Sequence, residues 1–224
     1  MLLTRVILLF VALFCLRAQD PTVTLPGAYQ LLFENQSVRV IHVLYAPGER
    51  LPVHSHPDHP TVYVYLSDSG PVRFEHTEMD ALVRRPVTTG AFRVSPGRPE
   101  KHAVTNLATV PAEFLRVELK AIPFNVAGLL YRGDRPFDLK TSGTTREFTH
   151  ARLTVDRVIG ASGAPAVAVP HSTRGFLLVA LSTTILPAER LRAGDVRWCK
   201  AGERLTLRGA DGASAHVLRI EVID

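Results

Sequence analysis

The sequence predicts an all-β protein built of two barrels in tandem, and three observations lead to this prediction. Hydrophobic residues recur in short alternating or β-branched runs, and almost no stretch shows helical periodicity. Gly, Pro, Asp and Ser interrupt these runs at close intervals, which is typical of a sandwich or barrel. The pattern of the first half returns in the second about 100 residues later, which indicates a domain duplication.

Composition agrees with a globular protein of this kind. The chain has 224 residues, of which 46% are hydrophobic and 21% are charged, so it has ample material for a core. This length suggests one or two domains. Neither a disordered chain nor a small disulfide-stapled fold has this composition.

The first 18 residues are predicted to be a secretory signal peptide rather than part of the fold. Arg5 supplies a positive charge, the run from Val6 to Leu16 is apolar, and Ala18 is a small residue before a cleavage point at Gln19. The apolar run is shorter than the ~20 residues that a membrane-spanning helix needs. We therefore expect export to the periplasm or the exterior, with an uncleaved membrane anchor as the alternative.

Charge argues against a nucleic-acid-binding protein, and the cysteine content argues against an internal disulfide. Loss of Arg5 and Arg17 with the signal peptide would lower the net charge from +5 to +3, and no dense Lys/Arg run remains to bind nucleic acid. Cys199 would then be the only cysteine, so no internal disulfide is expected. Its apolar neighbours predict a buried, unreactive thiol.

Ten strands are predicted in two sets, separated by a less regular segment. We expect a first barrel over residues 29–122, a linker over 123–145 and a second barrel over 146–224. The predicted strands are Ser37 to Tyr45, Thr61 to Leu66, Val72 to His76, Gly90 to Val94 and Ala112 to Glu118 in the first set, and Ala151 to Val158, Phe176 to Leu181, Gly194 to Cys199, Arg204 to Leu207 and Ala215 to Val222 in the second.

The two sets resemble each other in sequence. The segment Gly90 to Val94 corresponds to Gly194 to Trp198, and Phe114 to Glu118 corresponds to Leu218 to Val222. Both pairs keep the same order along the chain, as a duplicated domain would. Coincidence between two generic β sequences is the alternative explanation.

Three of the nine histidines are predicted to bind one metal ion. His54 and His56 are two residues apart, so on an extended strand both imidazoles point to the same face. His102, on a later strand, is the candidate third ligand, and we expect it to face the pair across the barrel interior. Packing or hydrogen bonding alone is the alternative role for these three. The histidines judged isolated are His42, His76, His150 and His216.

These histidines belong to two spaced motifs. The motifs are Gly48-x5-His54-x-His56 and Gly90-x5-Pro96 followed by His102-x3-Asn106. Both resemble the motifs of the cupin superfamily, in order and at similar separation. The resemblance implies a double-stranded β-helix, or jelly-roll, barrel for each half, and therefore an exported bicupin with a metal site in its first barrel.

The first motif departs from the family pattern at its carboxylate. Cupins usually carry Glu four or five residues after the second histidine, where this chain has Pro60 and Thr61. The loss leaves a neutral three-histidine set, which favours an anionic or chelating ligand in the open positions. His59 is close enough to replace the glutamate, but its odd offset from His56 points it away on a regular strand.

The second half is predicted to be a degenerate copy without a metal site. Val169 stands where the first histidine belongs, His171 keeps the second place, and Leu205 takes the third. We therefore expect a structural barrel that closes or dimerises the assembly. The alternative is an apolar ligand pocket lined by Val169, Leu205 and Trp198.

Two function classes follow from the site. Three histidines on one face of Fe(II) leave positions for O₂ and a bidentate substrate, as in a dioxygenase-type oxidoreductase. The alternative is a non-catalytic protein that binds metal or a small ligand. Iron is the expected metal, with Mn, Ni, Cu or Zn as alternatives, the partner is a small molecule, and a homodimer is expected. Isomerase chemistry is disfavoured because no carboxylate is evident near the histidines. The residues expected to line the pocket are Thr61, Tyr63 and Tyr65.

Overall fold

The computed structural model describes residues 20–133 and 137–223, and β-strands dominate it. A four-residue helix, α1 (Pro21–Thr24), precedes the strands, and the Asp20 carboxylate caps it by accepting from the Thr22 amide at 2.9 Å. In this part of the chain no helix is long and apolar enough to cross a membrane. The predicted signal peptide, residues 1–18, lies outside the described residues.

Ten strands form the first barrel and its edge. They are β1 (Tyr29–Glu34), β2 (Val38–Tyr45), β3 (Arg50–His56), β4 (Thr61–Tyr65), β5 (Val72–His76), β6 (Leu82–Arg84), β7 (Phe92–Ser95), β8 (Glu100–Asn106), β9 (Ala112–Leu119) and β10 (Tyr131–Gly133). The larger antiparallel sheet has the order β1-β2-β9-β4-β7-β10, and the smaller has the order β3-β8-β5-β6.

Nine further strands form the second barrel. They are β11 (Gly143–His150), β12 (Leu153–Gly160), β13 (Val167–Val169), β14 (Phe176–Ala180), β15 (Thr184–Ile185), β16 (Arg190–Leu191), β17 (Val196–Cys199), β18 (Leu205–Gly209) and β19 (Ala215–Val222). Their two sheets have the orders β11-β12-β19-β14-β17 and β13-β18-β15-β16.

The two barrels share one topology. Renumbering β11–β19 as β1–β9 turns the sheet orders of the second barrel into those of the first, except that β10 extends the first barrel's larger sheet. The predicted fold of two jelly-roll barrels in tandem is therefore confirmed. Strand β10 and the first residues of β11 lie within the segment that was predicted to be a linker.

Side-chain alternation sorts the apolar residues into three layers. On β2, Val38 and Val40 pack in a cluster shared with the second barrel, whereas Ile41 and Val43 belong to the interior of the first. A separate cluster fills the interior of the second barrel. The larger sheets of the two barrels thus pack face to face, and each buries both of its faces. Strand β14, Phe-Leu-Leu-Val-Ala, is accordingly buried at every position.

The predicted pocket of Val169, Leu205 and Trp198 does not exist as a unit. Val169 and Leu205 are in the core of the second barrel, whereas Trp198 packs against the layer between the barrels and stacks on Phe33, with ring centroids 6.2 Å apart. The apolar-pocket alternative is therefore wrong in its composition. Cys199 is a free, buried thiol, and burial raises its pKa to about 11, so it is a poor nucleophile.

Candidate metal centre

The three predicted histidines lie on two neighbouring strands of the smaller sheet. Strand β3 carries His54 and His56, strand β8 carries His102, and His54 is directly opposite His102 in the ladder. The expectation that His102 faces the pair across the barrel was therefore wrong, because it is their lateral neighbour. A register shift between Leu51 and His54 allows both side chains to be buried although they are three residues apart.

The three imidazoles form a compact cluster. One nitrogen of each ring lies within 4.8 Å of one nitrogen of each of the others. Ring centroids are 4.9 Å apart for His54 and His56 and 5.0 Å apart for His54 and His102. With metal–nitrogen bonds of about 2.1 Å, modest side-chain rotations would bring the three nitrogens to one ion.

Unpaired nitrogens and low basicity suit these rings to a metal. Among the described residues, neither nitrogen of His102 nor Nδ1 of His56 has a hydrogen-bond partner, although all three atoms are buried. Buried polar atoms without partners are rare and need an explanation such as a metal ion. Burial lowers the pKa of all three histidines, to about 3 for His102, so the rings are neutral at pH 7. The neutral ring is the form that ligates metals.

Two tyrosines that no sequence motif marks lie beside His54: Tyr29 contacts the imidazole, and Tyr45 contacts Tyr29. Nδ1 of His54 lies 2.9 Å from the Pro52 carbonyl oxygen, which only accepts, so Nδ1 carries the proton and Nε2 accepts. The Tyr29 hydroxyl donates to that Nε2 at 2.8 Å, and the Tyr45 hydroxyl donates to Tyr29 at 2.9 Å. A metal that binds His54 through Nε2 must therefore displace the Tyr29 proton.

A cavity of about 190 Å³ opens beside the cluster, lined in part by His56 and His102. Tyr63 and Tyr65 line it, as the strand parity of β4 indicated. Thr61 is buried but does not line the cavity, and its hydroxyl donates to the His59 carbonyl oxygen at 3.0 Å.

Two further histidines, His76 and His59, lie near the cluster in sequence or in space, but neither belongs to it. His76, which was judged isolated, lines the cavity, and its ring centroid is 5.1 Å from that of His102. It is outside the compact group of three, as is His59. His59 lies in the segment between β3 and β4, and so the structure provides no fourth histidine ligand among the described residues.

A carboxylate does lie near the histidines, contrary to the sequence prediction. Glu100 is two residues before His102 on β8, and the two side chains line the same cavity. Burial would raise the pKa of Glu100, but the charge of Arg116 and its hydrogen bond to the carboxylate outweigh the burial and leave the pKa below its usual value. The same i, i+2 rule that identified His54 and His56 would have identified Glu100.

Arg116 is buried in the cavity wall and donates three hydrogen bonds there. It donates to Glu100 at 3.0 Å, to Glu118 at 2.9 Å and to the Tyr63 hydroxyl at 3.0 Å. Glu118 is completely buried, and the hydrogen-bonded ion pair with Arg116 offsets part of the cost of that burial. This network fixes Glu100 and Tyr63 in the cavity wall.

The second barrel has apolar residues in the equivalent places. Val169 on β13 is directly opposite Leu205 on β18, in the same relation as His54 and His102. His171, in the second place, is exposed. The three-histidine cluster is the one group of its kind found within residues 20–133 and 137–223.

Comparison with solved structures supports the assignment of the fold. YhaK from Escherichia coli superposes with a TM-score of 0.59 at 14% identity, over 87% of this chain and 91% of that one. The pirin YhhW from Escherichia coli in complex with nickel(II) gives 0.61 at 12%, over 87% and 90%. A Bacillus subtilis oxalate decarboxylase studied for its Mn(II) centres gives 0.55 at 13%, over 85% and 70%.

At such low identities the likeness establishes the cupin-type double-barrel fold and no more. By sequence, no protein-family model and no curated relative matches the chain. The function has therefore to be argued from the site itself.

Proposed function

We propose that this protein is a metal-binding cupin whose first barrel holds one divalent transition metal through His54, His56 and His102. The observation that carries the proposal is the buried cluster of neutral imidazoles, with nitrogens that have no other partner, beside a small-molecule cavity. Nickel and manganese in structurally similar proteins support a divalent transition metal. We favour iron because neutral histidines suit it and leave several positions open.

The finer proposal is a dioxygenase-type oxidoreductase that acts on a small chelating substrate. Bound at three histidines, an Fe(II) ion would supply positions for O₂ and for two oxygens of the substrate. The protein's own contribution is a cavity wall with aromatic rings, among them Tyr63 and Tyr65, and a hydrogen-bond acceptor, Glu100, for a substrate hydroxyl. Arg116 keeps Glu100 ionised and in place.

Metal analysis of the purified protein tests the site. We expect one transition-metal ion per chain by elemental analysis without added metal, and loss of that ion in His54→Ala and His102→Ala. The exposed His171→Ala in the second barrel is the matched control and should keep the metal. Full metal content in both cluster variants would contradict the assignment.

Oxygen consumption with enolic and phenolic compounds then separates two candidate functions. Turnover that depends on bound iron would support the oxygenase. Stably bound metal without turnover of any compound would support a non-catalytic binding protein, which the ligand set also favours, since among the described residues it contains no carboxylate ligand.

We also propose that the chain is exported after cleavage of residues 1–18. Three features of this segment support cleavage: the positive charge of Arg5, the apolar run from Val6 to Leu16, and the small residue Ala18 just before Gln19. Mass spectrometry of the protein from whole cells should find a chain that begins at Gln19. An intact Met1 terminus in all fractions would contradict cleavage.

A further inference from the structure

Two arginines share one aromatic ring in the cavity wall. The guanidinium carbon of Arg84 lies 5.2 Å from the Tyr65 ring centroid, and that of Arg93 lies 5.8 Å from it. Arg84 comes from the smaller sheet and Arg93 from the larger, so the pair sits where the two sheets meet. All three residues line the cavity beside the histidines.

Neither arginine has a carboxylate partner among the described residues. Arg84 is buried and donates only to uncharged oxygens, including the Ser69 hydroxyl at 3.1 Å. The Nε of Arg93 is buried and has no hydrogen-bond partner at all. By contrast, Arg116 in the same wall is bonded to two glutamates. Two adjacent, partly desolvated cations without a counter-ion are costly, and an incoming oxyanion would relieve that cost.

The charge of the whole cavity points the same way. Five arginines line it against one acidic residue, Glu100, and that glutamate is already bonded to Arg116. Arg98 and Arg132 therefore add to the positive potential of Arg84 and Arg93. A cavity lined by one sign of charge concentrates ligands of the opposite sign.

The surface between this arginine pair and the histidines is aromatic. Phe114 lies 6.0 Å from Tyr65 and 5.6 Å from Tyr45, measured between ring centroids. Phe74, which also lines the cavity, lies 5.3 Å from His102. Such ring edges and faces suit a flat, unsaturated body better than a flexible polar one.

We propose that the cavity takes an aromatic carboxylate, with its carboxylate bound by Arg84 and Arg93 and its oxygen donors directed toward the metal. The second part rests on the proposed function, because it requires a metal at the histidines. The first part depends on the arginine pair alone and can be tested without metal.

Three small molecules distinguish the contribution of the carboxylate to binding from that of the chelating hydroxyls. Isothermal titration calorimetry would compare 3,4-dihydroxybenzoate, which has both ends, with catechol, which lacks the carboxylate, and benzoate, which lacks the chelating hydroxyls. The full chain loaded with nickel(II) and the metal-free chain would both be titrated without oxygen. Variants would be Arg93→Gln and Arg84→Gln, and the exposed Arg208→Gln in the second barrel would be the control with the same change of charge.

A charged hydrogen-bonded pair is worth enough that the carboxylate should tighten binding about tenfold or more. We expect dihydroxybenzoate to bind the nickel-loaded protein that much better than catechol, and this difference to vanish in Arg93→Gln and Arg84→Gln but not in Arg208→Gln. Catechol affinity unchanged within about twofold would show that each variant keeps its fold and its metal end.

The possible failures are distinguishable. If dihydroxybenzoate and catechol bind equally, or if the arginine variants keep the difference, the anion subsite is refuted while metal-dependent catechol binding leaves the proposed function intact. If nickel does not improve the binding of either diol, the metal function fails. In that case, arginine-dependent binding of benzoate to the metal-free chain would still support the anion subsite, and its absence would refute it.

Discussion

Replacement of Tyr29 by Phe gives the most direct test of how the histidine cluster changes between its metal-free and metal-bound forms. In the structure the Tyr29 hydroxyl donates to His54 Nε2, because Nδ1 is committed to the Pro52 carbonyl. A metal at Nε2 has to break that hydrogen bond. The phenylalanine variant has no such bond to break.

The size of the effect follows from the value of one hydrogen bond. A net contribution of about 0.5–1.5 kcal/mol converts to roughly 2- to 12-fold tighter metal binding in Tyr29→Phe. The metal-free variant should also be less stable by the same amount, about 0.5–1.5 kcal/mol, because the hydrogen bond is lost from that form alone and His54 Nε2 is left buried without a donor. Tighter binding and lower stability should therefore appear together.

Competition with a chromogenic chelator measures the metal affinity, and urea unfolding of the metal-free chain measures the stability. Tyr45→Phe is the matched control, since Tyr45 bonds to Tyr29 but not to a histidine. Metal affinity in that control should change less than in Tyr29→Phe. If Tyr29→Phe instead weakens metal binding tenfold or more, the reasoning is refuted, and Tyr29 contributes to holding the metal.

Three further predictions concern stability. Arg116→Met should lower the free energy of unfolding by about 3–5 kcal/mol, since it removes the hydrogen-bond donor of the buried Glu118 and leaves that carboxylate with the more distant Arg39, at 3.7 Å; a loss below about 1 kcal/mol in urea unfolding would contradict this. Leu115→Ala, in the layer between the barrels, should cost about 2–5 kcal/mol and leave one cooperative transition, whereas two separate transitions would show that the barrels unfold independently. Burial, with Arg157 nearby, lowers the pKa of His216 from 6.5 to about 3, so its neutral form adds stability above pH 6.5 that is lost as the pH falls toward 3. The free energy of unfolding of the metal-free chain, measured in urea, should thus fall between pH 7 and 5, by up to about 1.4 kcal/mol per pH unit for each such group, and by less in His216→Asn. A profile that is flat over this range would refute the prediction.

The strands that the sequence predicted best are those with clear alternation or uniform burial. Strand β5, Val72–His76, and strand β19, Ala215–Val222, have the predicted bounds. Strand β1 was missed because it is an edge strand whose apolar Leu31 and Leu32 are exposed, so its pattern carries no inside-outside signal. The packing of the two larger sheets against each other could not be predicted from the sequence either. A strand that is buried on both faces is apolar on both, so its sequence does not show which face packs against which sheet.

The site was predictable only as far as strand parity reaches. Parity placed His54 and His56 on one face and should also have placed Glu100 beside His102. It does not say which strands are neighbours, and this is why His102 was expected across the barrel rather than beside His54. Tyr29 on β1 is far in sequence from Arg84 on β6 and Arg93 on β7, and the two arginines belong to different sheets, so only the closed barrel brings all three to the cavity.

Comparison of the two barrels separates the residues that build a barrel from those that build the site. In the second barrel, Arg219 is buried and bonded to Glu221 at 2.8 Å, as Arg116 is bonded to Glu118 in the first. Since the second barrel has Val169 and Leu205 instead of ligating histidines, the Arg-x-Glu pair, with its buried arginine, does not depend on a metal and must serve the barrel itself. Arg219 and Arg116 each bond to a second acid as well, and this second acid comes from a different sheet in the two barrels.

In the second barrel that acid is Asp156, which lies on β12 of the larger sheet, 2.9 Å from Arg219. In the first barrel it is Glu100, which lies on β8 of the smaller sheet with His102. The arginine of the second barrel thus pairs with an acid on the larger sheet, whereas the arginine of the first barrel pairs with an acid on the strand that carries His102. Arg116 therefore does two things at once: it neutralises the buried Glu118, and it fixes a carboxylate beside the proposed metal.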